Sequence, residues 1–183
     1  MLSYLRHMIQ LILSPARGWE DVAAHPILRS EAFRHGLIPL IVTSGLSVLF
    51  RALYQIHTSF VHLIPNAVIG FLQYFLTYLI AQVVLTAYLP RITSDGQVDE
   101  YRLTIFLCFA VGQMSMIGIL ANLMPMTLTL VEFLPLYVAV VMFKGREYLG
   151  VRSDVVGGYA GATVLSVIMP IYLFEFILNK FIL

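Results

Sequence analysis

The sequence predicts an all-α integral membrane protein, with five transmembrane helices behind an N-terminal region of short amphipathic helices. Three observations predict it. Hydrophobic residues make up 60% of the 183 positions and charged residues only 11%, whereas soluble domains run near half apolar and a quarter charged. Mean hydropathy is +0.88. The apolar residues also fall in long blocks, several of them near the roughly 20 residues that cross about 30 Å of hydrocarbon.

The blocks lie at 37–57, 64–89, 103–123, 127–143 and 159–179. A few residues join the first to the second and the third to the fourth, so each of those pairs is expected to form an antiparallel hairpin. Residues 1–35 form a cytoplasmic, interfacial N-terminal region and 36–183 the five-helix domain. The start is not expected to be a signal peptide, because Arg6, His7 and Gln10 interrupt any apolar run.

Within the N-terminal region, Ser3, Arg6, His7 and Gln10 recur at helical spacing on one face, and Leu2, Leu5, Ile9 and Ile12 on another. Such a helix either lies in the membrane interface or packs on the protein's own cytoplasmic surface. Ser14-Pro15 reads as the N-cap and first position of a second short helix, which His25-Pro26 ends. Trp19, the only tryptophan, suits the headgroup level. Arg6, His7 and Trp19 are thus the expected membrane-interface residues.

Orientation follows from positive charge. With the N-terminus in the cytoplasm, the inner segments hold Arg6, Arg17, Arg29, Arg34, Arg91, Arg102, Lys144, Arg146 and Arg152, nine of the eleven Lys and Arg residues. Only Arg51 and Lys180 remain outside. Positively charged segments stay cytoplasmic, so the C-terminus is expected on the far side.

Three ionisable residues fall inside the blocks: Arg51, Glu132 and Glu175. Counting from the outer ends at 1.5 Å per residue, all three sit roughly 6–9 Å inside the outer boundary. Charges in hydrocarbon face the bundle interior or one another, so an intramembrane cluster with Arg51 paired to carboxylate is expected. It serves either as a clasp between helices or as an ion or proton relay. Gln73 and Gln113 fall near mid-bilayer, at hydrogen-bonding depth, and Asn66, Gln82 and Asn122 add further amides. Gly112, Gly118, Gly157, Gly158 and Gly161 would permit close helix approach.

Other chemistry is not indicated. Cys108 is the single cysteine and reads as a packing residue. His57 and His62 flank the first outer turn without a nearby carboxylate, so no metal and no cofactor are expected. No phosphate-binding loop or nucleophile motif is present, and a net charge of +1 gives no field for nucleic acid. The chain is read as non-enzymatic.

The amphipathic start followed by LILSPARGWEDVA (11–23), the stretch PLYVAVVMFKGREYLGV (135–151) and the layout of five spans together resemble the prokaryotic branch of the Yip1 family. The resemblance implies this fold, residence in a bacterial inner membrane, and a role in organising membrane or binding a membrane or cytoplasmic protein partner. Anionic lipid would be its other contact. A small transporter or ion channel built on Arg51, Glu132 and Glu175 is the alternative.

Overall fold

The computed structural model describes residues 2–54, 60–124 and 129–182, and no strand occurs among them. Two short helices, α1 (Leu2–Leu13) and α2 (Pro15–Ala24), precede the bundle. The bundle consists of α3 (Arg29–Leu53), α4 (Phe60–Tyr88), α5 (Glu100–Leu123), α6 (Thr129–Lys144) and α7 (Ser153–Lys180).

Among the described residues four helices, α3, α4, α5 and α7, are long and apolar enough to cross a membrane, and they fit an integral membrane protein. The fourth apolar block of the sequence, α6, has 16 described residues, about 24 Å of helix. Two stretches of the expected spans, 55–57 and 127–128, lie outside the described residues, as does His57. The first span opens at Arg29, well before the expected start at 37, because the helix continues back through Arg34 and His35.

Proline shapes two of the helices. Pro39 and Pro170 lack a backbone N–H and would press on the carbonyl four residues back. Each is preceded by a π-helical stretch, Ala32–Leu37 in α3 and Val164–Ile168 in α7. In both, the residue before the proline donates to the carbonyl five back: Ile38 to Phe33 and Met169 to Val164. The widened turn accommodates the ring while keeping the neighbouring amides bonded.

The central helix is α5. Residues Leu103 to Ser115 are all buried, which requires a helix apolar on every side. Its most apolar stretch is 72% buried, against 28–39% for the other three long helices. These three therefore keep broad outward faces, such as Val83, Leu165 and Phe176, in the manner of lipid-facing helices.

The two loops at one end are joined by backbone bonds. Arg152 N donates to Ile92 O at 3.0 Å and Ser94 N to Gly150 O at 3.1 Å, around a single antiparallel bridge between Thr93 and Val151. Gly96 turns one loop at φ +64°. Side-chain bonds link the opposite end: Tyr54 Oη donates to Leu123 O at 2.9 Å, and Asn122 Nδ2 to Ser47 Oγ at 2.8 Å.

At the stitched end, α1 docks through Tyr4, Met8 and Leu11, all fully buried. Tyr4 donates to Cys108 O at 2.7 Å and stacks on Phe109 with centroids 4.9 Å apart. It fits because Gly36 and Gly112 line its slot: a Cβ on Gly36 would lie 2.6 Å from the ring, and one on Gly112 would strike the hydroxyl. Since Cys108 is eight residues along α5, about 12 Å from its start, α1 is sunk against the bundle. Leu2, Ile9 and Leu13 stay exposed on its outer side. The helix thus has two apolar sides, one toward protein and one outward, so neither sequence alternative describes it alone.

Trp19 is likewise buried in protein and does not sit free among headgroups. Its Nε1 donates to Val141 O at 2.8 Å, and its ring stacks on Phe106 and Tyr148. His7 is buried and bonded through Nδ1 to Asp21 at 3.0 Å, while His25 Nδ1 takes the other carboxylate oxygen at 3.0 Å. Burial lowers the His7 pKa below the usual imidazole value, against the opposing pull of Asp21. Of the three expected interface residues, only Arg6 keeps an exposed side chain.

Candidate solute-binding cavity

At the end opposite the stitched loops, the bundle opens into a cavity of about 230 Å³ lined by all of its five helices. Four of the helices, α3, α4, α5 and α7, supply residues at helical spacing. Ser44, Val48 and Arg51 come from α3, Asn66, Gly70 and Gln73 from α4, and Tyr172, Glu175 and Asn179 from α7, all at i, i+3 or i+4, and i+7. Gly118 and Asn122 come from α5, and Glu132 from α6.

The crossing of α3 and α4 aims these faces at one another. A Cβ on Gly45 would lie 2.7 Å from Ala67 O, and one on Gly70 would lie 3.3 Å from Gly45 Cα. The two backbones therefore meet where side chains are absent. Arg51 follows Gly45 by six residues, in a 3₁₀ segment Val48–Leu53 that tightens the end of α3.

The polar groups are layered. Gln73 lies deepest along its helix and is buried, Asn122 is buried near the end of α5, Arg51 is partly buried, and Glu132 and Glu175 are exposed. No ion pair joins Arg51 to either glutamate among the described residues. The three expected charges therefore line one cavity without the direct clasp that the sequence suggested. One arginine against two carboxylates leaves the ionised site with an excess of one negative charge. A cavity of this volume has room for roughly seven waters at about 30 Å³ each, or for one small solute.

The amides behave differently from expectation. Gln113 is 3% exposed, and neither of its side-chain polar atoms has a partner, so the expected Gln73–Gln113 bond is not made. Gln113 also does not line the cavity. Sequence spacing gives depth, whereas the bond depends on the rotation of each helix. Gln73 does line the cavity, and its Oε1 has no protein partner.

Ser44, Tyr172 and Asn179 are the polar lining residues that sequence reasoning passed over. Asn179 and Tyr172 flank Glu175 at i+4 and i−3, the one signal that marks them. Of the glycines, Gly112 and Gly118 do sit where a Cβ would collide, and Gly158 faces Tyr88, whereas Gly157 and Gly161 face open space. His62 has no described side-chain surroundings. Among the described residues no group of three or more His, Cys, Asp and Glu is placed to hold a metal ion.

Comparison of the chain with protein-family models, with curated proteins and with solved structures finds no match.

Proposed function

We propose that this is a non-enzymatic membrane protein that takes a small ammonium-bearing solute into the outer cavity as the recognition step of transport. The observation that carries the reading is the cavity lined by Arg51, Glu132, Glu175 and four amides. Two carboxylates at the rim attract a cation, and Tyr172 beside Glu175 offers an aromatic face to it. Arg51 can hold a carboxylate carried by the same solute, since its guanidinium fork matches that group. The orphaned Gln73 Oε1 adds an acceptor at the base.

The reading includes five crossings. Antiparallel packing of α6 on α5 supports the fifth: Glu132 lines the cavity with Asn122, whereas Trp19 bridges Val141 and Phe106 near the other end. The nine-to-two distribution of positive charge then favours a cytoplasmic N-terminus and an outer C-terminus, in a bacterial inner membrane.

The test is uptake into proteoliposomes, with radiolabelled methylammonium and glycine as probes. Glu132→Gln and Glu175→Gln should each lower uptake by about tenfold, the effect of losing roughly 1.4 kcal/mol of charge pairing. Uptake unchanged in both variants, or absent in the parent protein, would remove the reading.

A second reading is favoured by the outward apolar row Leu2, Ile9 and Leu13 on α1 and by the likeness to the Yip1 family. Here α1 embeds in lipid or meets a partner protein, and the protein organises its surroundings. A fluorophore placed at Leu13 should be quenched by brominated lipid; a signal quenched only by aqueous iodide would exclude lipid contact.

A further inference from the structure

The stitched end carries a second polar cavity, about 290 Å³ in volume, between α2, the start of α5 and the end of α6. Three cations converge on it: Arg102, Lys144 and Arg146. We infer that this pocket binds the phosphate of an anionic glycerophospholipid headgroup. The proposal is independent of the outer cavity.

The pocket is held open by its own packing. Tyr148 stacks on Trp19 with centroids 5.1 Å apart, and Arg102 lies 5.7 Å from the Tyr148 ring centroid. Arg102 Nη1 donates to Tyr148 O at 3.1 Å and its Nε lies 3.5 Å from Asp99 Oδ2, so its guanidinium is already oriented. Arg146 sits 5.0 Å from the Phe143 ring centroid and 3.6 Å from Glu147. That carboxylate is 84% exposed, and exposed pairs of this kind hold little energy, so Arg146 is free to turn to a better anion. Lys144 is exposed and has no ion pair among the described residues. Glu20 and Glu147 also line the pocket, so the lining carries one net positive charge, with Asp99 behind Arg102 as its orienting partner.

Two further observations point to a ligand and to its source. Tyr148 is 7% exposed, yet its hydroxyl has no partner, and an unmet buried hydroxyl is costly. The pocket also lies at the ends of two helices that the five-crossing reading takes as spans: α6 ends at Lys144 and α5 begins at Glu100. Basic pockets between span ends are sites for acidic lipid heads. Ala16 and Ala23 line the same pocket, and Leu13 is 79% exposed shortly before Ala16, so acyl chains would meet apolar surface beside the bound phosphate.

The full-length protein in detergent micelles, titrated with phosphatidylglycerol and with phosphatidylcholine and read by native mass spectrometry, tests the assignment. The parent should prefer phosphatidylglycerol. Lys144→Gln should weaken that binding about fivefold, and Lys144→Gln with Arg146→Gln about 25-fold, since each cation near a membrane surface contributes about 1 kcal/mol. Arg91→Gln, an exposed cation outside the pocket, should leave the preference intact. The proposal is overturned if the pocket variants keep full preference, or if Arg91→Gln lowers it as much as they do. It is overturned also if millimolar inorganic phosphate displaces the lipid, which would make the site one for a soluble anion.

Discussion

Tyr4→Ala is expected to release α1 from the bundle and to lower stability by about 3 kcal/mol, measured by thermal unfolding in detergent. Removing a large aromatic from a packed core costs about 3–5 kcal/mol in soluble proteins. The lower figure applies here, because α1 would exchange a protein surface for lipid or detergent, and the water-to-oil part of the transfer largely cancels. What disappears is contact: the stack on Phe109, the fit between Gly36 and Gly112, and the bond to Cys108 O. Tyr4→Phe keeps the ring and should cost only about 1 kcal/mol. Hydrogen exchange over residues 2–13 should rise sharply in the alanine variant and little in the phenylalanine one. Equal effects from the two would mean that the hydroxyl, not the ring, holds the helix.

The second large effect is expected at the α3–α4 crossing. Gly45→Leu places a Cβ 2.7 Å from the Ala67 carbonyl oxygen, a backbone atom that cannot swing aside, so the helices must separate. Overpacking of this kind costs about 1–3 kcal/mol or more, and the damage extends to Arg51 six residues on. Solute uptake should fall by more than about tenfold, since a misplacement of 1 Å can remove that much activity. Gly157→Ala and Gly161→Ala, where a Cβ meets nothing within 4 Å, should leave both melting and uptake within about 0.5 kcal/mol of the parent. A Gly45→Leu protein that melts and transports normally would show that the crossing is not set by this contact.

The contrast between these glycines shows how far sequence reading reaches. Every one of them is a glycine in an apolar helix, and nothing in the local sequence separates Gly45, which the site depends on, from Gly161, which faces outward. Hydrocarbon-length blocks made the long helices legible, because lipid imposes a length. Residue counts put Arg51, Glu132 and Glu175 at one expected depth, and one cavity is lined by all three. Rotation about each helix axis was not legible. Gln73 and Gln113, expected at one depth, do not bond, while Ser44 and Asn179 line the cavity with ordinary side chains.

Tyr4 and Trp19 illustrate a second limit. A two-sided pattern of polar and apolar positions assigned α1 a wet face and an oily one, and Tyr4 belongs to neither. It lies on a third strip, with Met8 and Leu11, and its hydrogen-bond partner Cys108 is 104 residues away in the chain. Trp19 likewise answers to Phe106, Val141 and Tyr148. An aromatic near a membrane boundary suits the headgroup region in general, and here distant packing outweighed that preference.

The backbone bonds between the two loops have a mechanical consequence. They tether the adjoining ends of α4, α5, α6 and α7 at one face, whereas the hydrogen bonds seen across the opposite face are made by the side chains of Tyr54 and Asn122. Both of those latches join α3 to α5, so of the four rods tied at the base only α5 is held at its tip, and the arms are expected to spread like tongs. Such spreading would widen the mouth beside Glu132 and Glu175 while the knot at Thr93 and Val151 holds.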